Sequence, residues 1–238
     1  MKKMILSVLV ALVVTGVYAQ KTISDPNAQV REAKGFTAIK LSSAFDVYIS
    51  QGNEEGLAVS ASEPQYLEYI KTEVSGGTLR IWFDNKGMRN WNTGKMKLKA
   101  YISFRDLDKL DVSGACDVYF EGSVKLADLK IVLSGASDLK GKIELQKLDI
   151  DMSGASDMTL SGTVGQMKIE SSGASTFKGF DLISEFCDAR ASGASDIKIT
   201  VNKELNVQAS GASDVDYKGQ GMIRDLKTSG ASSVQRKS

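Results

Sequence analysis

The sequence predicts an all-β chain wound into a single parallel β-helix with coils of about 19–20 residues. The first ground is a repeat. Ser-Gly-Ala-Ser-Asp, or a one-letter variant of it, begins at Ser113, Ser134, Ser153, Ser172, Ser192, Ser210 and Ser229. The steps are 21, 19, 19, 20, 18 and 19 residues, a period at which solenoids stack. The second ground is alternation with period two. Leu110, Ile131, Ile150, Ile169, Ala189, Val207 and Leu226 precede each first serine by three residues. Val118, Leu139, Met158, Phe177, Ile197, Val215 and Val234 follow it by five. The third is the glycine fixed inside every unit, which disfavours paired helices, while the Leu-rich pattern of leucine-rich repeats is missing.

Taken in chain order, residues 1–19 read as a secretory signal peptide. Lys2 and Lys3 precede an apolar stretch from Ile5 to Val17, and Val17-Tyr18-Ala19 forms a small-residue cleavage site before Gln20. The stretch is short for a membrane span, so the mature chain is expected to be exported and not membrane-spanning. One solenoid domain is then expected over 20–238, with less regular coils over about 36–110 and regular ones over about 111–238. Ser42-Ser43-Ala44-Phe45-Asp46 aligns with the repeat as a degenerate eighth copy. The 71 residues from Ser42 to Ser113 are expected to hold three to four coils between these copies. Glu63 to Ile70 reads as a short helix entered through Pro64, and Val74 to Thr78 as a hairpin-like turn.

Asp84 to Lys95 breaks the pattern. This polar, Gly-punctuated loop carries Arg89 and Trp91, which become candidates for ligand or partner contact. Within the repeat each unit reads as a strand, a Gly-Ala corner, a second strand and a polar or Gly-rich turn. Asp46, Asp117, Asp138, Asp157, Asp196 and Asp214 fall in one column, spaced about 4.8 Å apart along the stack. Neighbouring carboxylates there repel by roughly 1 kcal/mol in water-like surroundings. They are read as turn-capping residues, with the adjacent serines, rather than as calcium ligands. The nonapeptide of calcium-binding β-rolls is missing, and Thr176 and Ser233 interrupt the column. No metal and no cofactor are expected.

Cys116 and Cys187 lie more than three coils apart, at least about 14 Å along the axis, whereas a disulfide needs Cα atoms within about 7 Å. Two free thiols follow, with Cys187 buried. The chain has no histidine, which excludes Ser-His-Asp and Cys-His catalysis. There is no phosphate-binding loop, dinucleotide fingerprint or nucleophile elbow. Removing Lys2 and Lys3 leaves 28 basic against 29 acidic residues, a net charge of −1 that disfavours nucleic acid as a partner.

Gly35-Phe36-Thr37-Ala38-Ile39, the degenerate copy, the junction Leu107 to Ala115 and the Ser-Gly-Ala-Ser-Asp array together resemble the head GIN domain family. Its members are exported bacterial proteins, often from Bacteroides-like organisms, described as putative auto-transporter adhesins. The resemblance implies a right-handed β-helix and transfers no catalytic residue. The expected function is a non-catalytic exported protein, in the periplasm, at the cell surface or secreted, that binds a glycan or an envelope or host protein. Two alternatives stand beside it: a polysaccharide-degrading β-helix enzyme, and a scaffold that self-associates through its solenoid ends.

Overall fold

The computed structural model describes residues 25–86 and 96–238. Five long strands carry the regular array: β9 (Asp117–Leu133), β10 (Asp138–Met152), β11 (Asp157–Ser171), β12 (Thr176–Ala191) and β13 (Asp196–Ala209). Here β1–β16 are numbered in chain order over the described residues, and each long strand makes nearly one whole coil. The second turn expected inside each unit is a bend within a continuous strand. Two consecutive exposed residues interrupt the alternation there, as at Ala127–Asp128, Gln146–Lys147 and Glu185–Phe186. A strand can bend in this way because its ladder bonds go to the coils above and below, not to its own coil.

Consecutive coils pair in parallel with repeat-to-repeat register: Asp138 sits against both Asp117 and Asp157, and Ile150 against both Ile131 and Ile169. The apolar columns thereby join into one core, in which Ile131, Ile150, Ile169 and Val207 are fully buried. Uneven step lengths are absorbed locally. Register shifts fall between Lys140 and Lys142, Thr159 and Gly162, and Gly179 and Ile183, all at the bend after the first straight stretch. Bulges at the bend take up the spare residues and leave the corners aligned.

At the corners the stack is backbone on backbone. Ala136 donates to the Gly114 carbonyl at 2.8 Å, Ala155 to Gly135 at 2.8 Å and Ala174 to Gly154 at 2.8 Å. A Cβ on Gly173, whose φ is +73°, would come 2.5 Å from the Gly154 carbonyl oxygen. Both the left-handed backbone and this close approach demand glycine.

The N-terminal third departs from expectation. β2 (Ala38–Leu41) and β3 (Asp46–Gln51) form the coil of the degenerate copy. That coil lies directly on the first regular one, with no coil between them. β2 pairs with β8 (Lys109–Val112), β3 pairs with β9, and Asp46 is registered on Asp117. The intervening chain stacks on the other side of β2–β3. There β6 (Thr78–Phe83) pairs with β2, and β7 (Leu98–Phe104) pairs with β3. The end is closed by antiparallel strands. β4 (Gly56–Ala61) pairs with β7, β1 (Gln29–Arg31) with β4, and β5 (Ile70–Ser75) with β6. The three to four intervening coils are thus replaced by one layer and an antiparallel cap. The short helix is a 3-10 turn over Pro64–Tyr69, and Gly76 and Gly77, both at positive φ, make the β5–β6 hairpin.

The other end is open. β14 (Asp214–Lys218) and β15 (Met222–Thr228) both pair with β13, and β16 (Ser233–Arg236) pairs with β14. Leu226 occupies a column that is buried in every inner coil, yet it is 49% exposed.

Candidate functional site

The corner sequence explains the local geometry. Its second serine points inward: Ser137, Ser156, Ser175, Ser195 and Ser213 have no exposed surface. A buried hydroxyl needs a partner. It donates to the carbonyl of the first serine of its own corner, as Ser156 does to Ser153 at 3.0 Å and Ser175 to Ser172 at 2.8 Å. Cys116 takes the same place in the first corner, its Sγ 3.5 Å from the Ser43 carbonyl and 3.6 Å from that of Ser113. Phe45 takes it in the degenerate copy. Corner hydrogen bonding therefore runs through serine.

The aspartate column is assembled in register from Asp46 through Asp117, Asp138 and Asp157, interrupted by Thr176, and continued by Asp196 and Asp214. Its side-chain bonds run to neighbouring coils. Lys178 meets Asp157 at 2.8 Å, and Ser233 donates to Asp214. Among the described residues no group of three or more acidic, cysteine or histidine side chains is arranged to hold a metal ion. Trp91 and Arg89 lie outside the described residues.

Two residues along from that column, Tyr101, Tyr48 and Tyr119 form a ladder, with centroid separations of 5.3 and 5.5 Å and interplanar angles of 14° and 19°. Each ring face is covered by the next, so the ladder offers edges and not an open stacking platform. Tyr101 donates to Asp25 at 2.9 Å, tying residue 25 to the cap. Burial, then the Asp25 carboxylate, push the Tyr101 phenol well above its ordinary range. Both cysteines are free and buried, as the coil spacing requires. Burial raises each thiol, Cys116 to about 11.

The largest concavity is one that no single stretch of sequence announces. It is a groove of about 630 Å³ running along the solenoid axis beside the corners. One wall is the outward column two residues before the first serine: Val132, Asp151, Glu170, Arg190, Gln208 and Lys227. The other wall is the first-serine column from Ser153 to Ser229. Five coil steps give it a length of roughly 24 Å. It exists because long side chains on one column stand beside serines on the next, with the backbone of Ala191 and Ala209 at its floor. The alternating polar positions between the apolar columns are its sequence signal, visible only after the repeats are stacked.

Charge inside the groove is compensated. Glu170 is bound by Lys168 at 2.9 Å and Arg190 at 2.7 Å, and these partners hold its carboxyl below the usual range. Asp151 is bound by Lys130 at 2.7 Å. The hydroxyl of Ser172 donates to the Met152 carbonyl, whereas those of Ser153, Ser192, Ser210 and Ser229 have no protein partner among the described residues. The groove thus offers a row of spare hydroxyls opposite neutralised ion pairs.

Several solved structures share this fold. A putative adhesin from Bacteroides fragilis matches with a TM-score of 0.80 and 22% identity, over 88% of this chain and 95% of that one. A putative adhesin from Parabacteroides distasonis matches with a TM-score of 0.70 and 14% identity, over 88% and 95%. A structure from the same species named as a putative lipid binding protein matches with a TM-score of 0.64 and 22% identity, over 90% and 98%. No curated protein matches the sequence. Residues 35–221, from the start of the degenerate coil to the last turn, match the family described as putative auto-transporter adhesin, head GIN domain. The chain belongs to the head GIN domain family of putative auto-transporter adhesins.

Proposed function

We propose that this protein is an exported, non-catalytic adhesin whose axial groove receives an extended hydroxylated ligand, a glycan chain at the bacterial envelope or on a host surface. The observation that carries this reading is the groove itself: a straight polar channel some five coils long, with unpaired serine hydroxyls repeating every coil. A chain of sugars repeats polar groups on a comparable scale. The ion pairs on the facing wall supply oriented donors and acceptors without a net charge for the ligand to neutralise.

The non-catalytic part rests on the same geometry. A glycosidic general acid must keep its proton near neutral pH, and Glu170 is held ionised by Lys168 and Arg190. The polar wall also suits a hydroxylated chain better than an acyl chain, the class suggested by the name of the Parabacteroides distasonis structure. Export rests on the signal-peptide pattern of residues 1–19, and Trp91 and Arg89 are assigned a secondary contact from the loop.

The test is binding of the purified protein to a broad glycan array, alongside Ser192→Lys, Arg190→Ala and Trp91→Ala. Saturable binding lost in the first two variants supports the groove. Binding lost only in Trp91→Ala moves the site to the loop. A blank array sinks the glycan assignment and turns the question to an envelope or host protein.

A further inference from the structure

The two ends of the solenoid have complementary chemistry, and both carry unpaired strands. At the C-terminal end β15 pairs only with β13, so its outer edge is free. Soluble sheets protect such an edge with an inward-pointing charge, a proline or cover. β15 has none of these. Its inward residues Ile223 and Leu226 are apolar, and Leu226 and Met222 are 49% and 74% exposed. At the N-terminal end β5 pairs only with β6, and its inward residues are Ile70, Thr72 and Val74, again without a charge.

Charge separates the ends. Residues 52–75 of the cap carry Glu54, Glu55, Glu63, Glu68 and Glu73 against Lys71. Residues 217–238 carry Lys218, Arg224, Lys227, Arg236 and Lys237 against Asp225. Two C-terminal ends would therefore repel, whereas a C-terminal end and an N-terminal cap attract.

We infer that the partner of the open C-terminal edge is the N-terminal cap of a second copy, joined by antiparallel pairing of β15 with β5. The direction follows from topology. β15 runs parallel to the coil strands it follows, and β5 runs antiparallel to β6 of the same stack, so the two meet antiparallel in a head-to-tail arrangement. Charge and alternation select the register. Opposing Leu226 with Thr72 would put Lys227 against Lys71 and Asp225 against Glu73, like charges at both positions. Opposing Leu226 with Val74 puts two apolar residues on the core side and Lys227 against Glu73 on the outer side, with Asp225 facing Ser75. Such a contact is heterologous, and repeating it extends the solenoid from copy to copy rather than closing a dimer. The inference is independent of the groove ligand.

The experiment is light scattering coupled to size-exclusion chromatography on the purified protein over a concentration series at low salt. It is repeated for Lys227→Glu, Glu73→Lys and the double variant Glu73→Lys/Lys227→Glu. Both residues are exposed, and unchanged circular dichroism melts confirm folding. The expected result is a mass that grows with concentration in the parent, association weakened roughly ten-fold in each single variant, and recovery in the double variant. A parent that stays monomeric throughout overturns the inference. So does assembly that survives both single variants, or a double variant no better than the singles.

Discussion

Gly114 stacks on Ser43, and the two residues show what the repeat tolerates and where. Both have left-handed backbones, with φ of +92° and +88°, and Ser43 is the non-glycine residue at positive φ among those described. A Cβ on Gly114 would meet the Ser43 nitrogen at 2.9 Å and come still closer to its carbonyl oxygen. Ser43 carries a Cβ because the layer beneath it has no corner. There the chain leaves the stack after Phe83 and returns at Leu98, and Ser43 Oγ accepts the Phe83 N–H at 3.2 Å. The end coil alone has room for a side chain at this position.

Alanine at an inner corner is therefore expected to be costly. Gly154→Ala adds the left-handed penalty of about 1–2 kcal/mol to an overpacking cost of about 1–3 kcal/mol against backbone. Ser43→Gly should stay within about 1 kcal/mol of the parent, since relief of strain offsets the lost hydrogen bond and the added chain entropy. Urea unfolding of the two variants measures the difference. Equal midpoints would contradict the stacking argument.

The buried corner serines predict a different pattern. Ser175→Ala removes the donor to the Ser172 carbonyl and should cost about 1–2 kcal/mol. Ser175→Cys should cost less, because Cys116 already fills the equivalent place in the first corner. Thermal unfolding of the pair should rank cysteine above alanine.

Thiol chemistry offers a check on the core. Burial raises both thiols, Cys116 to about 11 and Cys187 beyond it, so the reactive thiolate is scarce at pH 8. Titration with a thiol reagent at that pH should find no fast-reacting group in the folded protein and two after unfolding. A fast thiol in the folded state, or fewer than two after unfolding, would disagree with the coil assignment.

The contact between Asp25 and Tyr101 predicts how the cap responds to pH. Burial acts to raise the Asp25 carboxyl, but hydrogen bonds from Tyr101 and the Asn27 N–H outweigh it and the net shift is down from 3.8. Its stabilising contribution is present above the unfolded value and is lost as pH falls through the lower folded value. The Tyr101 phenol is shifted up from 10.0, so its contribution is full below pH 10 and is lost as pH rises through the higher folded value. Tyr101→Phe should flatten both limbs of a plot of melting temperature against pH. Identical profiles in parent and variant would remove the contact from the stability of the cap.

How much of this was legible in the sequence depends on whether the information lay in spacing or in stacking. The column through Ile131, Ile150 and Ile169, the glycine corners and the separation of Cys116 from Cys187 are properties of position within a repeat. A repeat of regular length leaves stacking as its way to pair strand backbones and join apolar columns. The role of the second corner serine was half visible: a capping group was expected, but the donors are the serines, because that position faces the core where a hydroxyl must find a carbonyl. The groove was invisible as a unit. Val132, Asp151, Glu170, Arg190 and Gln208 become one wall only when coils 18–20 residues apart are laid side by side.

What the sequence by itself determined is the coil: its length, its inward and outward faces, and the residue types that turn its corners. What only the tertiary structure decided is the order in which coils stack at the N-terminal end. Strand pairing depends on matching hydrogen bonds and apolar columns, not on chain order, so the coil of Ser42 to Asp46 can lie on that of Ser113 to Asp117 across 71 intervening residues. The entropy of closing such a loop grows only with the logarithm of its length. The excursion can therefore fold back as a layer and antiparallel cap on the far side, where it closes an end that would otherwise stay as open as the one beyond β15.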